Sequence, residues 1–337
     1  MTQFRKFPSI GQYSNLVKNV RSWAKYHDYS LPILRFKGTT KIHGTNAAVG
    51  YNPTTKELWA QSRERVITYE DDNAGFAAFV ETNAARFLQA LSKIETFPNE
   101  NIYLYGEWFG PGIQKGVAVN NLDKKWFGLF SLVAVVPGEL EAVRTLDVHE
   151  VNALTHTLDN VAIIEDIAKV FEIEIDFSKP ELQQNKLLEL TLAVEEECPV
   201  GKYFGHSGTG EGIVWVCATN PFWTMKTKGE RNSASKVKTV RELTEAEITS
   251  KANATEFVEY ACTENRMLQG IDKLKEMGLE IDIKSMGPYL KWIGGDILSE
   301  CKETLLASGI DRKDAMPRIA DKARNWFITY IDEHAND

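Results

Sequence analysis

The sequence predicts an α+β domain built on antiparallel sheets with flanking helices, followed by an all-α C-terminal domain. Two observations predict this. Up to about residue 230, short apolar runs rich in β-branched and aromatic residues are interrupted irregularly by a few segments of helical spacing, which suits antiparallel rather than βαβ architecture. After Leu243 the apolar spacing is helical throughout. A chain of 337 residues also accommodates two domains.

The elements follow in order. Ile33–Phe36, Ala47–Tyr51, Leu58–Gln61, Ile102–Tyr105, Phe127–Val136, Gly212–Cys217 and Phe222–Thr227 have strand length and strand composition. Asn73–Ile94 and Glu181–Cys198 repeat their apolar residues near 3.6, and Val148–Thr157 is a third candidate helix. Beyond them, Thr244–Arg266, Met267–Met277, Ile283–Leu306 and Lys313–His334 are amphipathic. Thr244-Glu-Ala-Glu247 has the form of a capping box, and Gly278 and Gly309 are helix stops. The boundary is placed between 243 and 244, giving domains 1–243 and 244–337.

Hydrophobic residues make up 43% and charged residues 26%, which excludes a disordered or low-complexity chain. Cys198, Cys217, Cys262 and Cys301 have no CxxC spacing and are expected to be free thiols in a reducing cytoplasm. The start MTQFRKFPSI lacks the apolar core of a signal peptide, and no run reaches membrane-spanning length, so a cytoplasmic protein is expected. The net charge of −8 hides strong segregation. Residues 1–50 carry eight Lys or Arg against Asp28 alone, whereas residues 151–200 carry three against eleven acidic groups. A basic face is therefore compatible with an acidic total.

The chemistry concentrates in Phe36-Lys-Gly-Thr-Thr-Lys-Ile-His-Gly-Thr-Asn46. Lys41 stands between two strand-like runs beside a turn at Gly44. The KxxG pattern alone is weak: it recurs at Lys125, Lys202, Lys226, Lys275, Lys284 and Lys291. Its weight comes from ordered partners. Ser62-Arg63 ends a strand. Glu107 ends another and leads into the glycine-rich Trp-Phe-Gly-Pro-Gly-Ile-Gln-Lys115. Phe127-Gly-Leu-Phe130 is an aromatic strand. Glu211 opens an apolar strand, and Lys226 and Lys228, two residues apart, share one strand face. The Gly205–Gly212 run lacks GxxxxGK[ST] spacing, which excludes a P-loop, and the remaining histidines have no zinc-ligand spacing.

These segments resemble, in order, motifs I, Ia, III, IIIa, IV and V of the covalent nucleotidyltransferase superfamily of polynucleotide ligases and mRNA capping enzymes. KIHGTN, GEWFGPGIQK and the KxK after a Trp-containing strand are most similar to the phage RNA ligase 2 family. The resemblance implies the nucleotidyltransferase fold, ATP-grasp-like and built of antiparallel sheets. It implies an ATP-dependent RNA ligase that joins 3′-OH and 5′-phosphate ends, with ATP and Mg²⁺ (or Mn²⁺) as cofactors. Its partner would be RNA, as nicked duplex or bridged ends, in the cytoplasm of a host cell if the chain is phage-encoded. An end-processing kinase or phosphatase is a compatible partner. One site per chain and the lack of heptads suit a monomer.

The implied roles follow position by position. Lys41 is the nucleophile that takes AMP. A lysine amine is protonated at neutral pH, so cationic neighbours such as Lys226, Lys228 and Arg63, with a divalent metal, are expected to free its lone pair. Lys226 and Lys228 stabilise charge on the α-phosphate. Glu211 is the metal ligand. Arg63 and Glu107 hold the ribose region, Phe130 stacks on adenine, and Thr40, Ile42 and Asn46 complete the nucleotide pocket. His43 is either a catalytic base or a local hydrogen-bonding residue. Thr45, Arg266 and Asp296 match positions used with RNA, and Arg5, Lys6, Lys18, Arg35 and Lys37 are phosphate candidates by charge. Two departures stand out. Relatives carry a carboxylate where this chain has Thr40, and two adjacent aromatics where it has Asn73-Ala74. The alternatives are a DNA ligase or GTP-using capping guanylyltransferase, and a non-catalytic RNA-binding protein with this fold. The helical texture after residue 243 argues against the β-barrel that follows motif V in the first two.

Overall fold

A computed structural model describes residues 4–138, 143–229, 257–307, 310 and 312–334. The chain separates into two compact units, 1–229 and 230–337. The predicted boundary at 243/244, the capping box at 244–247 and the stop at Gly309 lie outside the described residues.

The first unit begins with α1 (Tyr13–Tyr26), β1 (Ile33–Lys41), β2 (Thr45–Asn52), β3 (Glu57–Ser62) and β4 (Val66–Ile67). Helices α2 (Phe76–Thr82) and α3 (Ala84–Leu91) precede β5 (Asn101–Phe109), β6 (Trp126–Val135) and β7 (Val143–Leu146). Then come α4 (Ala153–Thr157), β8 (Val161–Ile163), α5 (Ile164–Ile167), β9 (Phe171–Asp176), α6 (Gln184–Glu196), α7 (Pro199–Tyr203), β10 (Gly212–Cys217) and β11 (Thr224–Lys228). The strands form two sheets, ordered β11-β10-β1-β9 and β4-β3-β2-β5-β6-β7. All these pairings are antiparallel, and among the described strands β8, parallel to β6, departs from the expectation.

Each sheet buries one face under helices. In the smaller sheet Phe36, Ile173, Ile175, Ile213, Trp215 and Met225 pack on Leu16, Val17 and Val20 of α1 and on Leu187 and Val194 of α6. The period of two then turns Lys37, Thr39 and Lys41 to the other face. In the larger sheet Val49, Ala60, Leu104, Trp108 and Phe127 pack on Phe76, Val80, Phe87 and Leu154. Its second face carries Ala48, Trp59, Tyr103 and Tyr105, with Phe7 of the N-terminal segment against them. Burial of these apolar side chains contributes about 1.5–3 kcal/mol each.

Helix α1 and strand β9 are absent from the assignment above. Both had a signal: Leu16, Val17, Val20 and Ala24 mark one face of a helix, and Phe171, Ile173 and Ile175 alternate. The predicted helix 73–94 divides at Asn83, which caps α2 and opens α3.

The second unit is helical where described: α8 (Glu264–Glu276), α9 (Met286–Glu300), α10 (Lys302–Ala307) and α11 (Arg312–His334). Its core joins Met267, Ile271, Leu274, Tyr289, Ile293, Ile319 and Phe327. Thr263 caps α8 by accepting from the Arg266 N–H at 3.3 Å. Gly278, at φ 70°, closes the helix as the sequence predicts. The predicted helix 283–306 breaks at Cys301. Among the described residues no helix is long and apolar enough to cross a membrane.

Candidate active site

Strand β1 ends in one sheet at Lys41, and β2 starts in the other at Thr45. The turn Ile42-His43-Gly44 therefore joins the two sheets. Gly44 is required by space: a Cβ there would collide with the carbonyl of Trp108. The Gly44 N–H donates to Glu107 Oε1 at 3.1 Å, so Glu107 fixes the turn behind the lysine. Asn46 lies directly opposite Glu107 in the β2–β5 register. Ile42 anchors the turn in an apolar cluster with Phe109 and Val119.

Lys41, Gly212 and Lys228 occupy one cross-strand row, Gly212 pairing with each lysine in turn. Gly212 is fixed by φ 149° and by a Thr227 carbonyl that would meet its Cβ. With no side chain between them, both lysines reach the carboxylate of Glu211. Lys41 Nζ pairs with Oε2, and Lys228 Nζ stands 3.3 Å from Oε1. His43 Nδ1 is 3.3 Å from Oε2. Glu211 is 2% exposed. Burial pushes its pKa up, but Lys41, Lys228 and His43 outweigh that and hold it well below the usual carboxylate range. The nearest neighbour of Lys41 is thus an anion rather than the cations expected from sequence. An amine in such an ion pair carries a proton that must leave before it can attack.

Lys226 lies one strand repeat from Lys228, opposite Val214. Its N–H donates to the Gly11 carbonyl at 2.8 Å, tying the N-terminal segment to the sheet edge. That segment runs on past the other candidates. Ser9 Oγ accepts from Arg63 at 3.2 Å. Phe7 meets Phe130 edge-on, with centroids 5.1 Å apart. Phe130 is the extra residue of a β-bulge, since Tyr105 opposes Ser131 while Gly106 opposes Leu129. The bulge turns it toward the Tyr105 face and the turn cluster at once.

Thr40 alternates away from Lys41 onto the helix-covered face, where its buried hydroxyl has no hydrogen-bond partner among the described residues. Thr45 accepts from Asn73 Nδ2 at 3.0 Å. The Ala74 carbonyl accepts from Trp108 Nε1 at 3.0 Å and from Lys125 at 2.8 Å. Asn73 and Ala74 thus form a brace behind the KIHGTN segment. Arg266 is 2% exposed in the second unit, with Nε 2.8 Å from Asp296 and Nη2 3.3 Å from Glu300. Such a buried pair clamps α8 to α9.

Of the charge-only candidates, Arg5 donates to Tyr105 Oη, Lys6 pairs with Glu64, Arg35 with Glu174 and Lys37 with Glu165. The N-terminal contacts with Phe130, Arg63 and Lys226 had no sequence signal beyond the aromatic and basic residues themselves.

Among the described residues no group of three or more His, Cys, Asp or Glu could hold a metal ion. Glu211 supplies one buried carboxylate, so a Mg²⁺ or Mn²⁺ fits only where phosphate oxygens and water complete its shell.

Residues 35–238 match the family model described as RNA ligase. The chain belongs to the RNA ligase family. The matched span starts within β1 and runs past β11, and so contains Lys41, His43, Glu211, Gly212, Lys226 and Lys228. Solved structures similar to this chain include a Naegleria gruberi RNA ligase with PPi, at 17% identity and TM-score 0.44. A lysine-to-alanine variant of it with ATP and Mn has 14% identity and TM-score 0.44. In both, 68% of this chain is covered, and the chain spans 58% of the other's length. No curated protein matches the chain.

Proposed function

We propose that this chain is an ATP-dependent ligase of the phage RNA ligase 2 type, sealing 3′-OH and 5′-phosphate ends at nicks in duplex RNA. The observation that carries the reading is the row Lys41–Gly212–Lys228 closed on buried Glu211, within a chain of the RNA ligase family.

Lys41 Nζ, freed of its proton, attacks the α-phosphorus of ATP. A phosphorus–nitrogen bond forms as the bond to pyrophosphate breaks. Lys226 and Lys228 hold negative charge on the phosphate oxygens in the transition state. Glu211 orients the lysine amine, and His43 is placed to receive or relay its proton through Glu211 Oε2. A divalent cation at Glu211 would supply charge neutralisation and would compete with the ammonium form of Lys41. Phe130, steadied by Phe7, offers a ring for the adenine, and Asn46 and Arg63, at the same end of the β2–β3 pair just beyond Ala47 and Ser62, serve the ribose. The AMP then passes to an RNA 5′-phosphate, and a 3′-hydroxyl displaces it. We assign Arg266 and Asp296 to the internal clamp and not to RNA contact.

The test is sealing of a nicked RNA duplex with a labelled 5′-phosphate, beside the same nick in DNA. ATP-dependent conversion of the RNA nick supports the reading. Exclusive sealing of DNA, GTP in place of ATP, or strand binding with no covalent step would overturn it in favour of a DNA ligase, a capping enzyme or a binding protein.

A further inference from the structure

Remote from Lys41, the end of α1 carries a group of aromatic side chains that the nucleotide site does not use. Tyr26 is 85% exposed, Phe222 63%, Tyr29 62% and Trp23 38%. Trp23, Tyr26 and Tyr29 are joined through His27, and Tyr26 lies 5.0 Å from His27. Trp23 lies 4.9 Å from His27, 5.4 Å from Tyr29 and 5.3 Å from Trp223, centroid to centroid. His27 and Tyr29 are parallel within 8°. Isolated exposed apolar residues need no explanation, but a joined cluster of exposed rings marks a binding surface.

Its position and charge indicate the occupant. Tyr29 precedes β1, whose far end is Lys41, and Trp223 precedes β11, whose far end is Lys228. The cluster is therefore separated from the lysine site by the length of these strands, on the order of 15–25 Å. Helix α1 exposes Lys18, Arg21 and Lys25 and contains no Asp or Glu, while Asp28 is the single acidic residue in positions 1–50. Aromatic faces interleaved with basic side chains are the chemistry that binds unpaired nucleotides: bases stack and phosphates pair.

We propose that Trp23, Tyr26, His27, Tyr29 and Trp223 form an accessory platform for unpaired nucleotides of the RNA substrate, distinct from the nick. The identity of the nucleic acid rests on the ligase reading; the platform itself rests on the exposed rings and basic helix.

The test uses the full chain without ATP. A fluorescein-labelled single-stranded RNA of about a dozen nucleotides is titrated by anisotropy at low salt, beside a blunt RNA duplex. Tyr26→Ala/Tyr29→Ala should weaken single-strand binding about tenfold or more. It should leave duplex binding and covalent AMP loading at the parent level, and Tyr26→Phe/Tyr29→Phe should restore binding. Unchanged single-strand affinity in the alanine variant would overturn the platform. So would an equal loss on duplex, or a parent dimer that the alanine variant dissolves, which would make the patch a self-interface. Failure of the ligase reading would show separately, as absent AMP loading in the parent.

Discussion

Replacing Glu211 with Gln keeps the side-chain volume and removes the charge that holds Lys41, Lys228 and His43 together. The substitution removes the carboxylate that two lysines, 23% and 12% exposed, share. Removing one partner of a buried ion pair costs about 3–5 kcal/mol. Partial solvent access of Lys41 sets the expectation at the lower end, about 3 kcal/mol, or a fall in Tm of roughly 6–12 °C for a unit of this size. Lys41→Met costs less, because Glu211 keeps Lys228 and His43. The double variant should recover about 2 kcal/mol relative to the sum, read by urea unfolding of all four proteins at pH 7. The same carboxylate sets a pH slope. Its folded pKa lies below the ordinary value of 4.5. Its stabilisation is therefore complete above about that value and is lost as pH falls, and the E211Q variant should show a flatter loss between about pH 5 and 3. Costs that add within about 0.5 kcal/mol, with identical pH slopes, would refute the ion-pair account.

Lys226→Ala should lower AMP loading by a factor of order 10², since one preorganised charge contributes about 3 kcal/mol to such a transition state; an undiminished single-turnover rate would remove its role. Gly44→Ala should destabilise the first unit by at least about 2 kcal/mol and reduce loading, because Cβ and the Trp108 carbonyl cannot share the space; calorimetry of the purified variant reads this. Arg266→Ala should cost about 3–5 kcal/mol in the helical unit, because Asp296 and Glu300 lose a guanidinium that is itself buried, while AMP loading stays at the parent rate. A stable Arg266 variant that loads AMP and fails only in sealing would return that residue to RNA.

Much of the site was legible in the sequence because its parts sit on strand ends. A period of two puts Lys226 and Lys228 on one face, and the KIHGTN turn announces itself through Gly44. The partner of Lys41 was not legible. Glu211 meets Lys41 only through the antiparallel register of β1, β10 and β11, and no local pattern gives a register between strands some 170 residues apart. The brace at Asn73–Ala74 and the strap formed by residues 5–12 are equally long-range. Phe130 reads as an ordinary strand residue until the bulge at Tyr105 turns it. Arg266 and Asp296 were visible as charged positions of the helical region, but their pairing and burial are set by the packing of α8 on α9.

The central claim is that Lys41 becomes covalently linked to AMP. Parent and Lys41→Ala proteins are incubated with ATP and Mg²⁺ after stripping with pyrophosphate, denatured, and weighed intact. The account predicts a gain of about 329 Da in the parent and none in the variant. No gain in the stripped parent, or an equal gain in both proteins, would contradict it.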